Sequence, residues 1–396
     1  MASYALDWLN LIVRWLHFTA GVMWIGTSLY FVWLDNHLRP PAKTSDASRG
    51  VLGELWSVHG GGFYHDQKYL TGPKGEPLTF NLHWFKWEAY ATWLSGMGLL
   101  AIIYWVGAGT YLVDRSVITL APSAAIALSI ATIVLGWIVY DTLCKLLGRR
   151  PLLLGAAVYV FLVLTAWGLF HVFGARAAYI HMGAIIGTVM AANVAFVIIP
   201  GQHKMLADIR AGREPDPQPG LVGKIRSVHN TYFTLPVLFT MISIHYPMTY
   251  GNAYGWAILA VIGLAGVLVR YFLILWDAHR VVLALPILAA VLLVGVALAV
   301  APRQYAPAEP ESFAQVRPIL EKRCAVCHAA TPTQPGFLTA PAGVLLDTPE
   351  HIHSNARRIF EQAVATHAMP LNNVTGMTDT ERTLVAGWIA AGAKVK

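Results

Sequence analysis

Apolar residues fall along this chain in long blocks, separated by shorter polar segments. A membrane-crossing helix needs about 20 mostly apolar residues. Eight blocks meet or approach that length: 8–33, 87–106, 121–140, 152–173, 177–199, 231–246, 253–276 and 281–301. The sixth is the shortest, and Pro236 interrupts it. Trp8, Trp33, Trp87, Trp105, Tyr140, Tyr179, Tyr246 and Trp276 stand at or near block ends, where amphipathic rings favour the headgroup level of a bilayer. The polar segments carry the charge unevenly. Loops 38–86, 141–151, 200–230 and 277–280 hold 15 Lys and Arg, whereas the N-terminal segment and loops 107–120, 174–176 and 247–252 hold 2. Basic residues mark the cytoplasmic side, so both termini are expected outside.

The stretches 17–37 and 181–203 each place a His early, then Gly-Thr, then a His at the far end, and 83–97 and 229–243 each begin on a His. Such an echo is the pattern of a four-plus-four duplication. Beyond Ala301 the text changes. Residues 303–310 read as a Pro-rich linker, and 311–396 are polar enough for a small soluble domain. Its last helix is expected to open on a capping box, Thr378 with Glu381. A domain of this size needs an internal staple.

Composition agrees. Hydrophobic residues make up 56% of the chain and charged residues 12%, about half the charge of a soluble protein. The net charge of +7 follows from the loop bias and gives no reason to expect a nucleic-acid partner. The N-terminus has no basic region ahead of its apolar run, so no signal peptide is expected. Three cysteines make no disulfide framework, and Cys144, alone at a span end, is expected to be inert. The fold class expected is all-α: an eight-span transmembrane helical bundle over residues 1–302, then a small domain over 311–396.

The remaining cysteines stand in Cys324-Ala-Val-Cys327-His328. Cys-x-x-Cys-His attaches haem c: the thiols add across the haem vinyl groups and the histidine becomes an axial iron ligand. A zinc site would want a second pair of good ligands, and none is present in the sequence. A redox dithiol has no need of the histidine. The sixth ligand expected is Met369, followed by Pro370, with Met377 and His367 as rivals. Met-Pro at this distance resembles class I cytochromes c, and His/Met ligation raises the potential of an electron acceptor. Haem c is assembled outside the cytoplasmic membrane, in agreement with the external C-terminus read from the loops.

Ionisable side chains at membrane depth are costly and usually functional. His17, His171, His181 and His245 fall in the outer halves of four different spans, as candidate ligands of one or two b-type haems. The bland alternative is helix-to-helix hydrogen bonding or placement at the interface. A second group, His37, His59, His65, His83, His203, His229 and His279, lies toward the cytoplasmic side. It shows no metal-ligand spacing, and the Gly-rich segment 55–69 reads equally as a solvated loop or a site. Arg270, well inside the seventh span, is the candidate substrate residue, binding an anion or pairing with Asp277; Arg14 is near enough to the surface to snorkel. Nucleophile elbow, P-loop, dinucleotide fingerprint and HExxH are all missing from the sequence, which leaves redox chemistry with haem as its agent.

The stretches HGGGFYHDQKY, LHWFKWEAYATWLSGMG and RWLHFTAGVMWIGTSLYF, with the terminal CAVCH and AMP, together resemble the bacterial membrane-bound urate oxidases that end in a cytochrome c domain. The resemblance spans the whole chain. It implies oxidation of urate to 5-hydroxyisourate, with electrons passing through haem c to an acceptor such as a cytochrome c, in the bacterial cytoplasmic membrane with the cytochrome on the periplasmic side. It carries over only Cys324, Cys327, His328 and Met369; no catalytic residue transfers. The rival readings are a haem oxidoreductase for another small reductant such as a quinol, and a membrane-anchored electron-transfer protein.

Overall fold

The computed structural model describes residues 2–74, 82–301 and 311–395; the expected linker 303–310 lies outside them. Helix α1, Ala2–His37, covers the first apolar block. It is followed by an antiparallel hairpin, β1 Val51–His59 and β2 Gly62–Tyr69, paired from Val51↔Tyr69 to His59↔Gly62. This hairpin departs from the all-α expectation in a chain that is otherwise mostly helical, and it takes in the segment 55–69 that read equally as a solvated loop or a site. Gly60 (φ 59°) and Gly61 (φ 84°) form the two-residue turn. Both need left-handed backbone, which glycine adopts without steric cost.

Helix α2, Trp87–Leu100, runs into a π turn, Ala101–Trp105. Helices α3 (Pro122–Leu147), α4 (Pro151–Phe170), α5 (Ala175–Arg210) and α7 (Gly255–Asp277) are each long and apolar enough to cross a membrane. Between the last two stands α6, Gln218–Ile242, and α8, Ala284–Ala299, is a shorter apolar helix. Each of the eight apolar blocks is therefore helical over most of its length, and four of these helices meet the length and apolarity of a span among the described residues. The largest departure is α6, which begins far ahead of the expected Thr231. Its polar first half stays helical because Arg226 and Asn230 are buried with partners on other helices.

Helix α5 is the hub. Most residues from Ala177 to Ala192 are buried. Missing side chains let its neighbours come close: a Cβ at Gly136 of α3 would lie 2.6 Å from Ile185 Cγ2, and one at Gly183 would collide with Thr240 of α6. Small residues at such crossings are how helices pack without a hydrophobic drive between them. A π turn, Asn193–Ile198, interrupts α5 in mid-course.

The C-terminal unit has its own core, including Val316, Leu320, Cys324, Ile359, Val385 and Trp388. Its main helices are α9 (Phe313–Leu320), α10 (Pro349–Ser354) and α11 (Asp379–Ala390). The capping box expected at Thr378 and Glu381 opens α11. Arg323 donates to both oxygens of Glu381 at 2.9–3.1 Å, clamping α11 to the cysteine segment. Burial acts to raise the Glu381 carboxyl, but bonds from Arg323 and the Thr378 amide outweigh it and hold the group below its usual range. A carboxyl depressed by folding stabilises above its unfolded value of about 4.3 and loses that contribution as pH falls through the folded value. With intrinsic exchange rates divided out, amide protection over 311–395 is therefore expected to fall as the intact protein is taken from pH 6 towards pH 3, with Glu381→Gln showing a shallower dependence.

Candidate functional site

Cys324 sits in the π turn Glu321–Ala325 that closes α9. The amides of Cys327 and His328 both donate to its carbonyl, at 3.1 and 3.0 Å. This tight turn keeps the two thiols and the imidazole on one short surface. His328 Nδ1 lies 3.0 Å from the Val344 carbonyl. A carbonyl only accepts, so Nδ1 carries the proton and Nε2 is left as the free lone pair, the arrangement by which outer partners orient a metal-binding imidazole. Burial pushes the Cys324 thiol up to about 12 and raises Cys327 as well. A redox dithiol needs the opposite shift. Met369 packs against the core that contains Cys324, Met377 is buried within that core, and His367 stands at φ 52°. Buried Arg382 donates to the carbonyls of Ala363 and Met369, fixing the loop that presents the Met369 thioether. Two thiols, a free imidazole nitrogen and a nearby thioether are the kinds of group by which a protein holds a c-type haem.

The four outer histidines do not converge. His17 Nδ1 faces the Thr92 carbonyl at 2.9 Å, and Gly96 makes the room: a Cβ there would come within 2.9 Å of the ring. His181 is fully buried with both ring nitrogens engaged. Nδ1 donates to the Ala177 carbonyl at 2.7 Å, and Nε2 accepts from Ser129 Oγ at 2.7 Å, which in turn accepts from Trp105 Nε1 at 2.9 Å. His171 turns back onto the Trp167 carbonyl, and it and His245 are exposed. The Nε2 lone pair of His181 is thus turned to Ser129, the helix-to-helix hydrogen bonding that stood as the alternative to haem ligation.

The cytoplasmic-side histidines are spread over separate aromatic contacts. His37 lies between Trp33 and His279, His65 stacks on Trp56, His203 stacks on Trp84, His83 meets Phe85, and His59 ends β1. Among the described residues no group of three or more His, Cys, Asp or Glu could hold a metal ion. His229 belongs to something the sequence reading missed. Its Nδ1 accepts from the Tyr140 hydroxyl at 2.8 Å, which accepts from Asn193 Nδ2 at 3.0 Å. Asn193 also donates to Asn230 and accepts from Arg226, whose other nitrogen pairs with Asp141 at 2.5 Å. Cys144 is buried beside this network, 3.8 Å from His229. The one signal available was Asn193 itself, an amide in the middle of an apolar run. Arg270 is buried, forms no ion pair with Asp277, and keeps Nε and Nη2 without a partner. Arg14 is exposed and bonds Asn10.

The C-terminal unit docks on the ends of the spans. Asn372 Nδ2 donates to the Thr110 carbonyl at 2.9 Å. Gly174 and Gly251 permit the approach: a Cβ on the first would collide with Asn372, and one on the second with the Thr366 carbonyl. Beside these contacts lies a cavity of about 730 Å³ walled by both parts, with Arg176, Tyr250 and Phe170 from the span ends and His367, Asn372 and Arg382 from the C-terminal unit. Arg176 keeps a buried Nε without a partner. Burial raises the hydroxyls of Tyr111 and Tyr250, while the positive charge of Arg176 draws both back.

A family model described as urate oxidase N-terminal matches residues 3–301. The chain belongs to this urate oxidase family. No curated protein and no solved structure matches it.

The match to the urate oxidase family takes in all eight apolar helices and ends ahead of the C-terminal unit. The chemistry of the cysteine motif is therefore independent of the family match. Docking through Gly174 is open to test. Gly174→Val is expected to push Asn372 off its contact, seen as at least about tenfold faster hydrogen exchange over 366–373, with exchange across α11 unchanged.

Proposed function

We propose that this protein is a membrane urate oxidase that delivers electrons outside the membrane. Urate and one water yield 5-hydroxyisourate, two protons and two electrons. A c-type haem, bound through Cys324, Cys327 and His328 with Met369 as the sixth ligand, supplies a one-electron acceptor that an external ferricytochrome or similar carrier reoxidises. In this reading all eight apolar helices cross the cytoplasmic membrane, and the C-terminal unit lies on the periplasmic side. The 15-to-2 division of basic residues between alternate segments supports that topology. The observation that carries the proposal is the joining, in one chain, of the urate oxidase match over 3–301 to Cys-x-x-Cys-His at 324–328.

The chain's own residues have defined tasks. Val344 holds the proton of His328 Nδ1 and so points Nε2 away from it. Arg382 braces the Met369 loop by its carbonyl oxygens. Two seats are available for the substrate anion: Arg270 within the spans, and the cavity beside the C-terminal unit. Urate added without oxygen to the purified, oxidised protein is expected to reduce the haem c α-band, with 5-hydroxyisourate formed in step. Cys324→Ala is expected to lose the covalent haem and the signal together. Reduction by a quinol but not by urate assigns the chain to a different reductant. Reduction by ascorbate alone makes it a carrier.

A further inference from the structure

Resting on the urate-oxidising reading above, we propose that urate binds in the cavity between the span ends and the C-terminal unit, with Arg176 holding its anionic edge. The cavity's volume of about 730 Å³ falls within the 300–1,000 Å³ usual for small-molecule sites and is ample for a purine. Arg176 and Arg382 bring positive charge to its wall and Asp114 and Asp379 bring negative charge. Arg176 hydrogen-bonds Tyr104, forms no ion pair with a carboxylate among the described residues, and keeps a buried Nε with no acceptor. A guanidinium in that state offers a planar, two-pronged donor to an anion of matching shape. The buried ring of Tyr250 provides a flat apolar wall. Asn372, already bound to Thr110 through its Nδ2, has its Oδ1 left to accept from a purine N–H. Urate presents both kinds of group around its rim, so amide and guanidinium can be satisfied together.

Position favours this seat over Arg270. The cavity is walled by Ala368 and Leu371, which flank Met369, whereas Cys324, Cys327 and His328 do not line it. It therefore adjoins the Met369 loop on the side of the spans and stops short of the two thiols. Substrate and acceptor are then neighbours. Arg270 stands 15 residues along α7 from Gly255, at whose end the cavity opens, or roughly 22 Å deeper at 1.5 Å per residue. Tunnelling falls off exponentially with distance, so electrons from that depth need a further centre on the way to the C-terminal unit. A seat at Arg176 removes the requirement.

The test uses the full-length protein with its haem, pre-reduced by ascorbate under argon so that urate binds without turning over. Equilibrium dialysis is expected to show urate affinity at least about tenfold weaker in Arg176→Gln and partly restored in Arg176→Lys, as loss of a charge-assisted bond requires, while the haem spectrum and its reduction by ascorbate stay as in the wild type. A second measurement does not depend on the variant folding. In sealed vesicles with the C-terminal unit facing outward, added urate is expected to reduce the oxidised haem as fast as in detergent-opened vesicles. Unchanged affinity in Arg176→Gln, or reduction only after the vesicles are opened, overturns the cavity as the site. Loss of binding in Arg270→Gln with wild-type binding in Arg176→Gln does so too, and moves the seat into the spans. Wild-type protein that neither binds urate nor is reduced by it overturns the functional reading itself.

Discussion

A polar side chain buried in an apolar bundle must find its partner within the bundle, since leaving it unmade costs more than the bond returns when made. Helix α5 carries two such groups at full burial, His181 and Asn193, and the helices around it are arranged by what those groups require. His181 demands a donor at Nε2, which brings Ser129 of α3 and, behind it, Trp105 at the end of α2. Asn193 demands acceptors and a donor, and draws in Tyr140 of α3 and both Arg226 and Asn230 of α6. Three helices are thus registered against one by a handful of directional bonds. The glycines at 136 and 183 let the backbones approach near enough for those bonds to form.

The same requirement marks where the sequence could be read and where it could not. Apolar blocks announce their helices because burial or lipid contact is a local property of each block, and the eight of them are helical. The hairpin was legible too: Gly60-Gly61 between two strand-forming runs is a turn signal, and reading the segment as a solvated loop or a site passed over it. The start of α6 was hidden. Nothing near Arg226 or Asn230 reveals that Asn193 and Met190, more than thirty residues earlier, will accept their donors. His181 shows the limit most plainly. Its depth could be counted from the sequence, but depth does not distinguish a ligand from a residue whose partners are Ala177 and Ser129. In the C-terminal unit the chemistry is local, so Cys324, Cys327 and His328 were identified directly, and only the Val344 carbonyl that orients the imidazole had to come from the fold. The cavity was out of reach because its walls come from segments some 190 positions apart, such as Arg176 and His367.

The two parts of the chain meet differently from the way either is packed inside. Their contact near Gly174 and Gly251 places backbone and short polar groups against one another, beside an aromatic contact of Tyr111 with Phe337. Such a junction holds by complementarity of shape and hydrogen bonding. It leaves polar groups at its margin that are neither buried in a core nor fully hydrated, and Arg176 is one of them. A small polar molecule can be held there by groups that already stand in place, and the cost of ordering them has been met in folding.

The π turn at Asn193–Ile198 gives α5 a history as well as a shape. Such a turn is an α-helix carrying one residue more than its hydrogen-bond ladder accommodates. Winding the same residues as regular α-helix would turn everything beyond by roughly 100°. His203 would leave the face of Trp84, on which it now stacks at 4.3 Å, and Gly201 would lose its close fit against Pro219. The extra residue acts as a gear between two halves of one helix, letting each half keep its own set of neighbours. A protein whose α5 ran as unbroken α-helix through this point would have to rebuild the helix's far end, even though every bond made by His181 remained intact.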